Sequence, residues 1–169
     1  PYTTLFRSGE IRDRLTVQHA MNYAETGHLC ISTMHANNAN QAIERILNFF
    51  PEDAHNRILM DLSLNLHGVV AQRLIHGVND QLVPASEIML LSPYMADLIH
   101  KGQIDHLRAL MGKSNELGMH TFDQSLFNMF ANGDVTLAQA IDNADSKTDL
   151  SVRLRIELGA SLELSGLTF

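Results

Sequence analysis

Cysteine and long apolar runs are nearly absent from this sequence of 169 residues. Cys30 is its one cysteine, which excludes an intramolecular disulfide framework and fits a reducing compartment. No stretch approaches the roughly 18 apolar residues that span a bilayer, and the first residues lack the apolar segment of a signal peptide. These absences predict a cytoplasmic protein without a transmembrane segment.

Basic residues are also in deficit. The chain has 12 Lys and Arg against 19 Asp and Glu, a net charge of −7. This acidity argues against non-specific binding to nucleic acid or to anionic lipid, since both require a basic surface. Hydrophobic residues make up 45% of the chain and charged residues 18%, a balance typical of globular proteins. The length suits one domain with a real core.

The first eight residues do not look like natural protein sequence. Residues 1–8 read PYTTLFRS, which is the codon-by-codon translation of CCCTACACGACGCTCTTCCGATCT, a widely used sequencing adaptor. A chance match of this length is far rarer than an untrimmed adaptor. We therefore interpret residues 1–8 as non-native and expect natural sequence from Gly9. Residues 5–8 should then not form a strand buried on both faces.

The spacing of apolar residues changes along the chain from a mixed pattern to a helical one. Steps of three and four residues predict helices, and short β-branched runs predict strands. We predict a helix over 15–26, a strand over 28–35, a helix starting after Asn37 or Asn38, a helix from Pro51 to about residue 71, hairpin strands over 72–76 and 82–90, and helices from Ser92 onward. Thr121 and Thr136 begin capping-box sequences. The predicted fold class is α/β followed by a bundle of short helices.

An acidic segment at residues 9–13 is the first candidate for chemistry. A carboxylate at the C-terminal tip of a central strand is where open α/β sheets place ligand chemistry. Glu10 could there hold magnesium through water or polarise a water beside a triphosphate. On these residues alone, an exposed charged turn before a helix is the simpler interpretation.

Two histidines bracket the predicted strand. The separation of seven between His28 and His35 is odd, so strand alternation would place them on opposite faces. His35 lies at the C-terminal end, where its imidazole could bond a phosphate oxygen. A strand-terminal histidine bonded to backbone is the simpler alternative. The nine histidines show no zinc-site spacing, so no structural metal site is expected.

Gly112-Lys113-Ser114 resembles the end of a phosphate-binding P-loop. The full motif needs a further glycine where this chain has Leu107, and a strand before it where the pattern is helical. Without the glycine-rich loop there are no converging N–H groups to hold phosphate. We reject this segment as a nucleotide site.

Several motifs together resemble one family. They are residues 9–13, 24–35, 37–39, 50–51, 72–74, 87–89 and 118–124. In this order they are similar to the Walker B region, the His box and later segments of the type II/type IV secretion ATPases. The resemblance covers roughly residues 9–150 and is strongest to the twitching-motility PilT and PilU group. It favours PilU, because residues 96–101 lack both arginines of the PilT retraction motif.

The resemblance implies the C-terminal part of a RecA-like P-loop ATPase core. It implies one domain at residues 9–91, with the Walker B and His-box segments, and a C-terminal helical region at 92–169. It also implies a homo-hexamer that binds ATP and magnesium at subunit interfaces. Hydrolysis would drive the retraction of a type IV pilus.

The same resemblance implies roles for single residues. Glu10 takes the Walker B role toward magnesium, through water, and is a catalytic residue together with His35. His28 and His35 take the His-box roles, with His35 nearest the γ-phosphate. Arg12 and Asp13 brace the strand–helix corner at the nucleotide. These five residues are the expected nucleotide-binding set.

Departures from the family limit what this sequence can do. The Walker A loop, the acidic box and the N-terminal domain are absent, so we expect the 169-residue piece alone to be inactive. Without the upstream strands of the core, the apolar side chains of Ile31, Leu62 and Leu66 should be exposed to solvent, which favours aggregation. Expected partners are a PilT-type companion ATPase and an inner-membrane platform protein, at the cytoplasmic membrane face. The alternatives are a non-catalytic interaction module of such a machine, or a type II secretion ATPase relative.

Overall fold

The computed structural model describes residues 5–158, except for the side chains of residues 5–8, 116 and 158. Its strands are β1 (Leu5–Glu10), β2 (Leu29–Thr33), β3 (Gly68–His76) and β4 (Leu82–Leu90). Its α-helices are α1 (Arg14–Glu25), α2 (Ala39–Asn48), α3 (His55–Asn65), α4 (Pro93–His100), α5 (Leu107–Met111), α6 (Phe122–Ala131), α7 (Leu137–Asp142) and α8 (Lys147–Leu158). Short 3-10 helices cover Glu52–Ala54, Ile104–His106 and Asn115–Leu117. The predicted α/β segment followed by short helices is confirmed.

These residues divide into two compact units. Within the described range, the first unit holds residues 5–71 and 87–120, and the second holds 72–86 and 121–158. Each unit therefore contains part of β3 and part of β4. These units are compact groups of contacts whose bounds differ from the predicted domains. The predicted division into a core at 9–91 and a helical region at 92–169 stays a prediction.

The first unit contains a parallel pair, β1 and β2, in which Glu10 lies opposite Thr33. Two hydrogen bonds join the carboxyl ends of these strands: Thr33 Oγ1 donates to the Gly9 carbonyl at 2.8 Å, and Ile11 N donates to the Thr33 carbonyl at 2.8 Å. Parallel strands end at one edge, so the residues that follow β1 and β2 come together there. The side chains of residues 5–8 lie outside the description, so their interpretation as adaptor sequence stays a prediction.

The hydrophobic core of the first unit is built mainly by helices α1 to α5. Its most buried members are Val17, Ile43, Met89, Met95, Ile99, Leu107, Met111 and Met119. Burying each Ile, Leu or Met side chain contributes roughly 1.5–3 kcal/mol. The expectation that Leu62 lies uncovered is wrong, because Leu62 is a buried member of this cluster on α3, against which α4 packs. Leu66 is partly buried and packs against the same cluster. Ile31 is exposed, as expected.

Helix α2 is fixed at its start by two side chains. Asn38 is the N-cap, as one of the two predicted candidates, and its side chain accepts a hydrogen bond from Gln41 N at 2.9 Å. Glu87, buried on β4, accepts from Ala39 N at 2.9 Å. A carboxylate at a helix N-terminus also complements the helix dipole. This bond ties the start of α2 to β4.

Strands β3 and β4 are hydrogen-bonded neighbours joined by residues 77–81, which confirms the predicted hairpin. The bounds of β4 match the prediction, but the helix predicted to reach residue 71 ends at Asn65, and β3 begins at Gly68. Leu66 is already extended, with φ −69° and ψ 129°. A Cβ at Gly68 would lie 2.7 Å from the Met89 carbonyl oxygen, so glycine allows a close approach to β4 that outweighs the helical pattern.

The second unit has its own core and a partly buried ion pair. Its most buried side chains include Phe122, Leu126, Leu150 and Leu154. The Arg73 guanidinium lies 3.9 Å from the centroid of the Phe122 ring, and Arg73 Nη1 is 2.7 Å from Asp145 Oδ1. Both capping boxes predicted from sequence, beginning at Thr121 and Thr136, are confirmed.

Candidate functional site

The candidate site lies in the first unit, at the carboxyl ends of β1 and β2. Glu10 is the last residue of β1, and His35 follows β2 by two residues. The turn that leads into α1 carries Arg12, and the sequence around it is too polar to continue a buried strand. Two segments, the one that follows β1 and the one that follows β2, therefore bring Glu10, Arg12 and His35 to one edge.

The Glu10 carboxylate is held on both of its oxygens. His35 Nε2 lies 2.9 Å from Oε1, while Arg12 Nε and Nη2 each lie 2.6 Å from Oε2. The Glu10 side chain is 19% exposed, against 84% for His35 and 77% for Arg12. The carboxylate is therefore the most covered member of the cluster, and the side chains of Arg12 and His35 are open to solvent.

Asp13 has a different position from its neighbours. It is the N-cap of α1, and its Oδ1 accepts hydrogen bonds from Thr16 N at 2.8 Å and Thr16 Oγ1 at 2.9 Å. The backbone hydrogen bond from Thr16 is the main cause that lowers the pKa of Asp13 below its ordinary value. Asp13 thus stabilises the strand–helix corner by capping the helix.

A depression of about 250 Å³ lies against this cluster. It is lined by Glu10, Ile11, Arg12, His35 and Arg45. Arg45 was missed by the sequence interpretation. The signal was present, because the buried positions Ala42 and Ile43 leave residues 41, 44 and 45 on the exposed side of the helix that directly follows the His35 segment.

His28 lies at the other end of β2. Its Nδ1 is 3.0 Å from Thr26 Oγ1, and its ring packs edge-on against Tyr23 with 5.7 Å between centroids. His28 and His35 therefore flank the strand Leu29–Thr33 at opposite ends. The structure brings His35 to Glu10 but leaves His28 with partners from the end of α1.

Two expected absences can be compared with the described residues. Within residues 5–158, no group of three or more His, Cys, Asp or Glu side chains could hold a metal ion by itself. In the same range, no helix has the length and apolar content needed to cross a membrane. The rejected Gly112-Lys113-Ser114 segment follows α5, with Gly112 as the helix C-cap, so no strand leads into it.

Comparison with known proteins gives one family and several relatives. A model of the family described as "Type II/IV secretion system protein" matches residues 8–125. The chain is 49% identical to the type IV pilus ATPase PilU of Pseudomonas aeruginosa, over 95% of this chain and 42% of that protein. It is 32% identical to the type IV pilus retraction ATPase PilT of the same organism, over 80% of this chain and 40% of that protein. The chain thus spans about two fifths of these relatives.

Solved structures of related ATPases share the fold. A crystal structure of the pilus retraction motor PilT with bound ADP matches with a TM-score of 0.78 and 30% identity, covering 88% of this chain and 41% of that one. The ATPase DotB of Legionella pneumophila matches with a TM-score of 0.69 and 19% identity, which shows likeness of fold alone. The predicted fold class, the C-terminal part of an ATPase core followed by short helices, is confirmed. The predicted preference for PilU over PilT also agrees with the two identities.

Proposed function

The chain belongs to the type II/IV secretion system protein family, and we propose that it is the C-terminal part of an ATP-hydrolysing motor that retracts type IV pili in twitching motility. Similarity to a type IV pilus ATPase over 95% of the chain supports this proposal. The observation that carries it is the 2.9 Å contact between His35 Nε2 and Glu10 Oε1 at the carboxyl edge of a parallel strand pair. Open α/β sheets bind nucleotides at this edge.

The contact supplies the chemistry that hydrolysis needs. A ring N–H of His35 that reaches a carboxylate oxygen can equally donate to an oxygen of a γ-phosphate, because both are anionic acceptors. Glu10, released from His35, keeps an oxygen to accept a hydrogen bond from a nearby water. We assign the catalytic roles to these two residues. Positioning and charge stabilisation account for most of phosphoryl-transfer catalysis.

Magnesium fits this site through water and phosphate oxygens. Glu10 is the one carboxylate lining the depression, and its oxygens are engaged by Arg12 and His35. Mg²⁺ commonly keeps several waters and takes one or two carboxylates plus substrate phosphates, so a single carboxylate suffices. When bound, the ion supplies charge neutralisation on the phosphate oxygens.

The remaining predicted residues receive narrower roles. Arg12 lines the depression and is proposed to bind nucleotide directly, since its exposed guanidinium can leave Glu10 for a phosphate. Asp13 is proposed to act on the nucleotide through the corner that it caps. His28 lies at the opposite end of β2 from Glu10. It is proposed to bind nucleotide at an interface between neighbouring subunits of the ring.

The assembly and its location belong to the same proposal. We propose a homo-hexamer with ATP at its subunit interfaces, at the cytoplasmic face of the inner membrane, working on a platform protein beside a PilT-type companion. Hydrolysis drives a domain rotation that withdraws pilus subunits. The 169-residue piece alone contains no complete P-loop, and the backbone amides and lysine of that loop supply most phosphate-binding energy. We therefore propose that the piece alone is inactive.

Phosphate release by the full-length protein tests the function. The gene is cloned with its upstream sequence, and the purified protein is assayed for ATP hydrolysis with and without magnesium. Hydrolysis that disappears in Glu10→Gln supports the motor. An assembled wild-type protein that neither binds nor hydrolyses ATP would instead identify an interaction module. Twitching of a deletion strain carrying either version reports whether hydrolysis drives retraction.

A further inference from the structure

Thr33 holds the chain on both sides of Glu10. It is the last residue of β2 and lies opposite Glu10 in the parallel pair. Its Oγ1 donates to the Gly9 carbonyl at 2.8 Å, and its own carbonyl accepts from Ile11 N at 2.8 Å. We propose that Thr33 is a positioning residue for ATP hydrolysis, which sets the separation of Glu10 from His35. The assignment rests on the proposed function.

The two hydrogen bonds of Thr33 differ in how they depend on the sequence. Any residue at position 33 has a main-chain carbonyl for Ile11 N, so that bond needs no particular side chain. The bond to Gly9 needs a short side chain with a hydroxyl, which serine and threonine supply. Valine has the same branched shape without a donor and suits a strand equally well. The hydroxyl is therefore not required to form β2, and what it adds is a second attachment directly before Glu10.

One short segment carries both the attachment and the proposed catalytic histidine. Thr33 fixes the main chain around Glu10, and His35, two residues later, contacts the Glu10 carboxylate with its Nε2. A hydrogen bond from Ala36 N to the Met34 carbonyl at 3.0 Å closes a three-residue turn with His35 at its centre. The main chain under both catalytic groups is therefore fixed by bonds that this segment makes.

The separation of the two groups matters because phosphoryl transfer depends on placement more than on covalent chemistry. A displacement of about 1 Å in a reacting group can lower a rate roughly 100-fold. Thr33 is exposed, and substitutions at exposed positions usually change stability little. The loss of its hydroxyl should therefore lower kcat while the melting temperature stays close to that of wild type.

Hydrolysis by the full-length protein tests the assignment. Wild type, Thr33→Val, Thr33→Ser and Thr148→Val are compared by steady-state phosphate release, by affinity for a non-hydrolysable ATP analogue and by melting temperature. Thr33→Val loses one hydrogen bond, which predicts a fall in kcat of about 3- to 10-fold, with KM for ATP and affinity for the analogue within about twofold of wild type. Thr33→Ser keeps the donor and should restore most of kcat. Thr148, an exposed threonine on α8, is the matched control and should keep wild-type kcat.

Three outcomes would overturn the assignment and leave the ATPase proposal intact. They are wild-type kcat in Thr33→Val, a kcat in Thr33→Ser as low as that in Thr33→Val, and a loss of kcat that disappears when activity is expressed per assembled protein. A wild-type protein that neither binds nor hydrolyses ATP overturns the ATPase proposal, and the assignment with it. If Thr33→Val does not assemble, judged by sedimentation, Thr33→Ala and Thr33→Ser are compared in the same way.

Discussion

Two arginine–carboxylate pairs in this chain have similar chemistry and opposite surroundings. In the first unit, Arg12 is 77% exposed where it meets Glu10. In the second unit, Arg73 is 25% exposed where it meets Asp145, and it also lies over Phe122 and donates to the Asn143 carbonyl at 3.3 Å. An exposed pair can exchange partners at little cost, whereas a covered pair stacked on an aromatic ring cannot. Exposure therefore separates a pair suited to ligand binding from a pair suited to holding a fold.

The Arg73 pair also belongs to a network that fixes a chain segment. Asp123 accepts hydrogen bonds from Asp145 N at 2.8 Å and from Ser146 N at 3.2 Å. This places the Asp145 backbone, and with it the carboxylate that Arg73 contacts. Among the described residues, the Glu10 carboxylate contacts side chains only, those of Arg12 and His35, an arrangement that suits a site whose side chains rearrange when a ligand enters.

The largest effect is expected from removing the covered arginine. Arg73→Ala leaves Asp145 without its cation and Phe122 without its stacked partner, which predicts a loss of about 2–4 kcal/mol in the free energy of unfolding. Urea denaturation of the purified protein measures it. Arg73→Lys keeps the charge without the planar stack and should recover only part of the loss. A change below about 1 kcal/mol in Arg73→Ala would remove the contrast between the two pairs.

The next effect is on catalysis and comes from the exposed cluster. His35→Ala removes a donor proposed to bind the γ-phosphate, so kcat of the full-length protein should fall about 10- to 100-fold with a smaller change in KM for ATP. Steady-state phosphate release measures both constants. His100→Ala, at the end of α4 and outside the depression, is the control and should stay near wild type.

A structural His35 would give another pattern. The melting temperature and assembly would fall, and hydrolysis would return to normal once assembly is corrected for. Near-wild-type kcat in both histidine variants would exclude His35 from the mechanism. The first outcome would give the Glu10 cluster a structural role like that of the Arg73 pair.

A smaller effect is expected at the Asp13 cap, and it depends on pH. The hydrogen bonds from Thr16 lower the pKa of Asp13 in the folded state below its ordinary value of 3.8. The carboxylate therefore stabilises the fold above that ordinary value, and the stabilisation is lost as pH falls through the lowered pKa. Asp13→Ala should lower the melting temperature at pH 7 by less than Arg73→Ala does, because it removes one exposed cap.

Asp13→Asn separates capping from charge. Asparagine is an N-cap of similar quality but does not titrate, so its melting temperature at pH 7 should stay closer to wild type than that of Asp13→Ala. Its melting temperature should also change less than wild type between pH 5 and pH 2. Scanning calorimetry across this range measures both differences. Identical acid profiles for wild type and Asp13→Asn would contradict the assigned cause.

The smallest effect on stability is expected from Arg12→Ala. Exposed ion pairs contribute about 0–1 kcal/mol, so the unfolding free energy should change by no more than that. Denaturation under the conditions used for Arg73→Ala gives the direct comparison. A loss as large as that of Arg73→Ala would show that Arg12 has a structural role and is not available to a ligand.

Local signals in the sequence predicted local structure well. Asn38, Thr121 and Thr136 were predictable as N-caps because capping depends on residues within one turn. In each case the side-chain oxygen accepts a hydrogen bond from the backbone N–H three residues later. The start of β3 at Gly68 was not predictable in this way. Its cause is a backbone approach to Met89, a residue 21 positions away that the periodicity of residues 51–71 cannot report.

The candidate site shows the same division. The proximity of Glu10 and His35 was expected from the family resemblance and from the rule that parallel strands share an edge. Arg45 lies on the predicted exposed face of α2 but was not singled out, and the bond from Ala39 N to Glu87 was not foreseen, because both depend on how α2 packs in three dimensions. His28 and His35 were expected on opposite faces of one strand by alternation, but β2 begins after His28 and ends before His35, so the two histidines lie beyond its opposite ends.

The close approach at Gly68 has a consequence for inherited variation. Any side chain there places a carbon 2.7 Å from the Met89 carbonyl oxygen, a backbone atom that cannot rotate away. Every single-nucleotide change that replaces this glycine must push β3 from β4 near the residue where Glu87 holds α2. A library of all twenty residues at position 68, selected for stably folded protein, should return glycine, whereas the same library at the exposed neighbour Val70 should return many residues.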